Sequence, residues 1–239
     1  MKKFSLAFPV TVAVIAITSI FTLLQFIYPE VLSAFRRNPA ALESGEWWRI
    51  FTPLLVHSDG FGQYIFNMAC LAFLGASVEK NFGWRLLVVL YAISGVAGEI
   101  AGYASWDPNG AGASVGFCGL LGGLVVCILK RKADVNPLVR KMSIFIVLGM
   151  ISGAIGGMAI IAALYGGVIL LFIIVQRSKG SERLLDLIGS WGTLLGALVL
   201  LGLHDIHGVS ILVGSMLALA VLPLLKRAST PCRPTEKGI

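Results

Sequence analysis

The chain has 239 residues, 57% of them hydrophobic and 13% charged, with a mean hydropathy of +0.88. A soluble domain carries about 25% charged residues, so an ordinary soluble enzyme is excluded and a multi-pass membrane protein is expected. The net charge of +7 does not mark a nucleic-acid binder, because the basic residues fall in short clusters between apolar runs, where they set orientation in a bilayer.

Met1-Lys2-Lys3 followed by apolar residues to Tyr28 resembles a signal sequence. The apolar run is too long for one, and no small-x-small cleavage site closes it. It reads as a first span over roughly 7–28, with its N-terminus in the cytoplasm. A polar stretch follows to about Gly60, carrying Arg36, Arg37, Trp47, Trp48 and Arg49. Tryptophans beside an arginine suit the membrane interface. The segment 51–57 is too short to span, so this loop is expected to dip into that interface.

Span two is expected over about 63–78, and Glu79, Lys80 and Arg85 mark a cytoplasmic turn. Span three covers about 86–103, a short outer loop follows at 106–110, and span four covers about 112–129. Lys130-Arg131-Lys132 closes span four on the inside. The segment 143–175 has no charge and exceeds one span of roughly 20 residues. Gly153, Gly156 and Gly157 allow a hairpin there, either two full spans or a re-entrant pair. Arg177, Lys179 and Arg183 follow on the inside, then spans over about 184–202 and 205–225.

The expected fold is therefore an all-α polytopic membrane protein of about eight spans, with both termini cytoplasmic in the cell membrane. Residues 1–227 form one transmembrane domain, and 228–239 read as a disordered tail. The basic residues that break the positive-inside pattern are Arg36, Arg37 and Arg49. Cys70, Cys118 and Cys127 lie in apolar runs without paired spacing, which argues against a disulfide framework. Glu99 lies deep in span three and requires a polar partner or a place near the outer interface.

The residues 110–123 form a glycine-rich entry into an apolar helix, with Ser114 near its start. Small residues at 112, 116, 119 and 123 let neighbouring helices approach closely. On the topology above, Ser114 and His207 lie at similar depth on one side, as do His57 and His204. A serine becomes a nucleophile when a base within hydrogen-bond reach takes its proton, and neutral imidazole serves near pH 7. Gly214 lets the final helix pack close to span four. Gln63 and Asn67 are four apart on one helical face, and their amides can donate to an oxyanion together with the Ser114 N–H.

These segments resemble the rhomboid family of intramembrane serine proteases. The resemblance rests on 46–52 with His57, on Asn67 followed by 75–83, on Gly112-Ala113-Ser114, and on 207–210 with Gly214. It implies a six-helix core, to which the 143–175 hairpin is an addition. It also implies peptide-bond hydrolysis on transmembrane protein substrates in the bilayer, without a cofactor. By matching position, Ser114 is the nucleophile, His207 the general base, Asn67 an oxyanion donor, and the Trp48-Arg49 loop an element at the lipid interface. No third carboxylate is evident, so the expected unit is a Ser114–His207 dyad held by packing and helix ends.

The family pattern differs at three positions. Val115 stands where glycine is usual, Gln63 where a second histidine is frequent, and Cys118 where an aromatic commonly stacks on the base. These define a second reading, an inactive rhomboid-like binder of membrane proteins. A third is a zinc-dependent membrane hydrolase built on His57, His204, Asp205 and His207. Substrate identity and oligomeric state are not legible in the sequence.

Overall fold

The computed structural model describes residues 7–130, 135–156, 166, 167, 169 and 181–223. No strand occurs among the described residues, and the chain folds into helices α1 (Pro9–Ile27), α2 (Pro29–Phe35), α3 (Pro39–Glu43), α4 (Gly60–Phe82), α5 (Trp84–Ala101), α6 (Ser114–Leu129), α7 (Pro137–Ile155), α8 (Ser181–Gly202) and α9 (Ile206–Val221). Helices α1, α4, α5, α7 and α8 are long and apolar enough to cross a membrane, while α6 and α9 are shorter apolar helices. The second arm of the hairpin expected at 143–175 and the tail 228–239 lie outside the described residues.

Helix α1 carries the signature of a lipid environment. Its buried face holds Thr11, Thr18, Thr22 and Gln25, and its exposed face holds Val12, Ile17, Ile20, Leu23, Phe26 and Ile27. Polar groups point inward because lipid offers them no partners, and apolar groups lose nothing by facing hydrocarbon. At the start of α1, the Glu79 carboxylate accepts the Val10 N–H at 3.0 Å, the Thr11 N–H at 2.8 Å and the Thr11 hydroxyl at 2.6 Å. These bonds satisfy N–H groups that the first turn leaves without intrahelical acceptors. Glu79 therefore holds α4 to α1.

Helix α6 is the centre of the bundle: every residue from Val115 to Ile128 is buried. A helix that is apolar all round belongs in a core. Helix α9 packs on it most extensively, with α5 on a further side. The α6–α9 contact depends on missing side chains. A Cβ at Gly214 would run into the Gly119 carbonyl, and one at Gly122 would run into the Ile211 carbonyl. Ser215 then reaches across to the Gly122 carbonyl at 3.1 Å.

Helix α7 begins at Pro137, earlier than the uncharged segment suggests. The Asn136 side chain accepts the Leu138 N–H, and proline is well suited to the first helical position. Arg140, one turn in, pairs with Asp186 of α8 at 3.2 Å, so charge at this end does not exclude helix. Helix α7 ends at Gly156, where φ is +77°. A positive φ is a conformation that glycine adopts without strain.

Between α3 and α4, two 3-10 turns (Trp47–Ile50 and Thr52–Leu55) replace a spanning helix. Trp47, Trp48 and Phe51 are exposed there. The three arginines outside the expected charge pattern are structural ties. Arg49 bonds Glu46 and the Ser33 and Arg36 carbonyls. Arg36 donates to the Asn109 carbonyl. Arg37 is buried and pairs with Glu99 and Asp107, which supplies the partner that Glu99 requires.

Candidate active site

The chain enters α6 along a pinned segment. Gly112 N–H donates to the Pro53 carbonyl at 2.9 Å. The Ala111 carbonyl accepts from the Ser58 N–H at 3.2 Å, the Ser58 hydroxyl at 3.1 Å and Gln63 Nε2 at 3.1 Å. Ser114 follows as the first residue of α6. Its N–H has no intrahelical acceptor and sits at the positive end of the helix dipole.

Helix α9 brings His207 to the same end. Helix α8 closes on His204, whose φ of +56° turns the chain. Asp205 N–H returns to the Leu200 carbonyl at 2.9 Å, and α9 begins at Ile206. This short link and the close α6–α9 packing leave His207 Nε2 at 2.8 Å from Ser114 Oγ. Two residues 93 apart in sequence thus come within hydrogen-bond reach.

The two amides meet the same end of α6. A Cβ at Gly112 would lie 2.8 Å from Gln63 Nε2 and 3.4 Å from Asn67 Nδ2. A Cβ there would press on the movable end of Gln63, while Asn67 would lie at ordinary contact distance. Asn67 is buried, and its Nδ2 has no hydrogen-bond partner. Gln63 Nε2 already donates to the Ala111 carbonyl, and its Oε1 accepts the Asp59 N–H at 3.0 Å.

Asp205 is the neighbour that sequence pattern did not assign to this pair. Its Oδ1 lies 2.6 Å from His207 Nδ1 and also accepts the His207 N–H at 2.9 Å. The signal was present: an aspartate at the N-cap, two residues before a histidine at the second helical position, is placed to meet both groups. Burial pushes the Asp205 carboxyl up, but the bonds from His207 and its charge outweigh this and hold it below the usual carboxylate range.

Neither Val115 nor Cys118 lines the cavities at Ser114 and His207. Val115 is buried, filling the space above Gly98 of α5, and Cys118 is buried with its thiol 3.6 Å from Met150 Sδ of α7. The other histidines are occupied elsewhere. His57 Nδ1 lies 2.9 Å from the Thr22 hydroxyl, and His204 meets the Trp106 ring edge-on at 5.2 Å. No group of three metal-ligating side chains occurs among the described residues.

Ser114 and His207 line two cavities. A cavity of about 400 Å³ is lined by polar groups that include Arg36, Asp59, Asp107 and Gln63. Another of about 290 Å³ is lined by Phe66, Asn67, Ile146, Gly149 and Met150. One is suited to hydrated chain, the other to an apolar side chain.

The rhomboid-domain family model matches residues 44–178, more than half of the chain. The chain belongs to the rhomboid family. This rhomboid is 32% identical over 143 residues to "Putative rhomboid protease YdcA" of Bacillus subtilis, covering 57% of this chain and 71% of that protein. It is 30% identical over 151 residues to "Rhomboid protease GluP" of the same organism, covering 56% of this chain and 30% of that protein. It is also 28% identical over 119 residues to "Inactive RHOMBOID-like protein 8" of Arabidopsis thaliana, covering 49% of this chain and 33% of that protein. The matched domain includes Ser114, Gln63 and Asn67 but ends before His207. The partner of Ser114 is thus supplied by a helix beyond the matched stretch.

Proposed function

We propose that this rhomboid is a serine endopeptidase that cleaves transmembrane protein substrates at the edge of the bilayer. The observation that carries the reading is the 2.8 Å contact between Ser114 Oγ and His207 Nε2. In the proposed reaction, Ser114 Oγ attacks the scissile carbonyl as its proton passes to His207 Nε2. The negative charge on the carbonyl oxygen is met by the Ser114 N–H and Asn67 Nδ2. His207 then gives its proton to the leaving amine, and the C–N bond breaks to leave an ester on Ser114. Water, deprotonated by the same imidazole, hydrolyses the ester and restores the serine. The apolar cavity suits a substrate residue on the bilayer side of the scissile bond, and the polar cavity suits the chain leading away from it.

The inactive binder remains the competing reading, favoured by the three departures from the family pattern. The buried placement of Val115 and Cys118 speaks against it, since neither obstructs Ser114. The zinc reading has no such support: His57 and His204 are engaged away from His207. The deciding experiment is cleavage of a transmembrane substrate in liposomes, with fluorophosphonate labelling in parallel. Wild type is expected to cleave and label. Ser114→Ala is expected to do neither, and His207→Ala to lose cleavage while staying folded. A folded wild type that neither cleaves nor labels would leave the binder.

A further inference from the structure

We propose that Asp205 is a positioning residue that turns the Ser114–His207 pair into a triad, by fixing the tautomer and the ring orientation of His207. This inference rests on the protease reading above and concerns how its base is held.

A carboxylate can only accept hydrogen bonds. With Oδ1 of Asp205 2.6 Å from His207 Nδ1, the ring proton of neutral His207 belongs on Nδ1. That leaves a lone pair on Nε2, the nitrogen facing Ser114 Oγ at 2.8 Å, so the serine donates and the ring accepts. The other tautomer would set a lone pair against the carboxylate and an N–H against the serine. As the ring gains the serine proton, the adjacent carboxylate also stabilises the imidazolium. Asp205 itself stays unprotonated throughout, and every proton moves between Ser114, His207, the leaving amine and water.

The placement is rigid. The same Oδ1 caps α9 by accepting the His207 N–H, so backbone and ring of one residue are tied to one oxygen. The His207 and Asp205 side chains are only 20% and 19% exposed, which limits competition from water. Other charges face the ring from neighbouring elements. Glu99 on α5 is already paired with Arg37, and Asp59, Asp107 and Arg36 line the polar cavity. On α6, buried Cys118 is the titratable neighbour. Asp205 is the carboxylate in direct contact with the ring.

An aspartate at an N-cap also stabilises its helix without any role in catalysis, so the test separates the two. Asp205→Asn and Asp205→Ser both keep an oxygen able to cap α9, but neither keeps the negative charge on the ring. In the full chain in liposomes, each is expected to lower kcat by about 10²-fold or more, with KM little changed. Nitrogen NMR of His207 reports the tautomer without depending on turnover. Folded variants that cleave at the wild-type rate with an unchanged tautomer would show that Asp205 is a helix cap only. If wild type itself fails to cleave or label, the protease reading falls. An NMR tautomer that changes in Asp205→Asn would then still show that Asp205 sets the ring, whereas an unchanged one would overturn that too.

Discussion

Asn67 and Gln63 offer the same amide chemistry to the start of α6, yet they are differently committed. Asn67 Nδ2 is buried without a partner, a state that costs about 1–3 kcal/mol and is relieved when an oxyanion arrives. Gln63 Nε2 already bonds the Ala111 carbonyl, so it gains less from a developing charge. Asn67→Leu is therefore expected to reduce kcat by about 10²–10³-fold, the usual loss of one oxyanion donor, without lowering the thermal midpoint. Gln63→Leu is expected to cost less in kcat and more in stability, because it removes the bonds of Gln63 to the Ala111 carbonyl and to the Asp59 N–H. Equal kinetic losses at the two positions, measured with one substrate, would refute this division. Ser114, Asn67 and His207 were singled out in the sequence by glycine spacing, helical faces, topology and the rhomboid resemblance, and the structure brings Ser114 and His207 into contact. Asp205 was not assigned, although its N-cap position is local too, because it stood among histidines and was weighed as a metal ligand. The engagement of Gln63 with Ala111 depends on how the loop before α6 folds, and no spacing encodes it.

Helices α6 and α9 place the reacting groups, and glycines set their separation. A Cβ at Gly214 would meet the Gly119 backbone carbonyl, which cannot rotate away as a side chain can. Gly214→Val is expected to push α9 outward, destabilise the fold by about 1–3 kcal/mol and abolish cleavage. Gly62→Ala is the matched control: nothing described lies within 4 Å of a Cβ there, and alanine favours helix by about 1 kcal/mol. It is expected to leave thermal stability equal or higher and cleavage intact. Retained cleavage in Gly214→Val would mean that close packing is not what holds His207 to Ser114. The helices themselves were readable from apolar runs, with errors at their ends. Helix α4 extends three residues earlier and four later than 63–78, since Gly60 and Lys80 carry no hydrophobic signal but continue the backbone bonding. Helix α7 starts at an Asn-Pro cap that a search for uncharged residues passes over.

Across the whole molecule, the loop from α2 to α4 works as a belt around the Ser114 end. Arg37 ties it to Glu99 and to the chain before α6, Arg49 ties it to α2, and His57 closes it against α1. Charge patterning along the sequence could flag these arginines only as exceptions, because their partners lie far away in the chain. His57 is the titratable part of the belt. Its Nδ1 shares the Thr22 hydroxyl with the Leu55 carbonyl, its backbone exchanges two bonds with Gln25, and its Nε2 is buried without a partner. Burial lowers its pKa from 6.5 to about 4, so the folded protein keeps the ring neutral where the unfolded chain would protonate it. Stability is then full above pH 6.5 and falls as the pH drops towards 4, by on the order of 3 kcal/mol across that window. Thermal unfolding in detergent from about pH 7 to about pH 4 measures this. The wild-type midpoint is expected to fall more steeply than that of His57→Gln, which has lost the group but keeps every other carboxylate and histidine. The absolute stability of His57→Gln does not matter for the comparison, since only the difference in slope reports the buried ring. Parallel curves would mean that His57 gains its proton without opening the belt, and that the loop is held by Arg37, Arg49 and Gln25 alone.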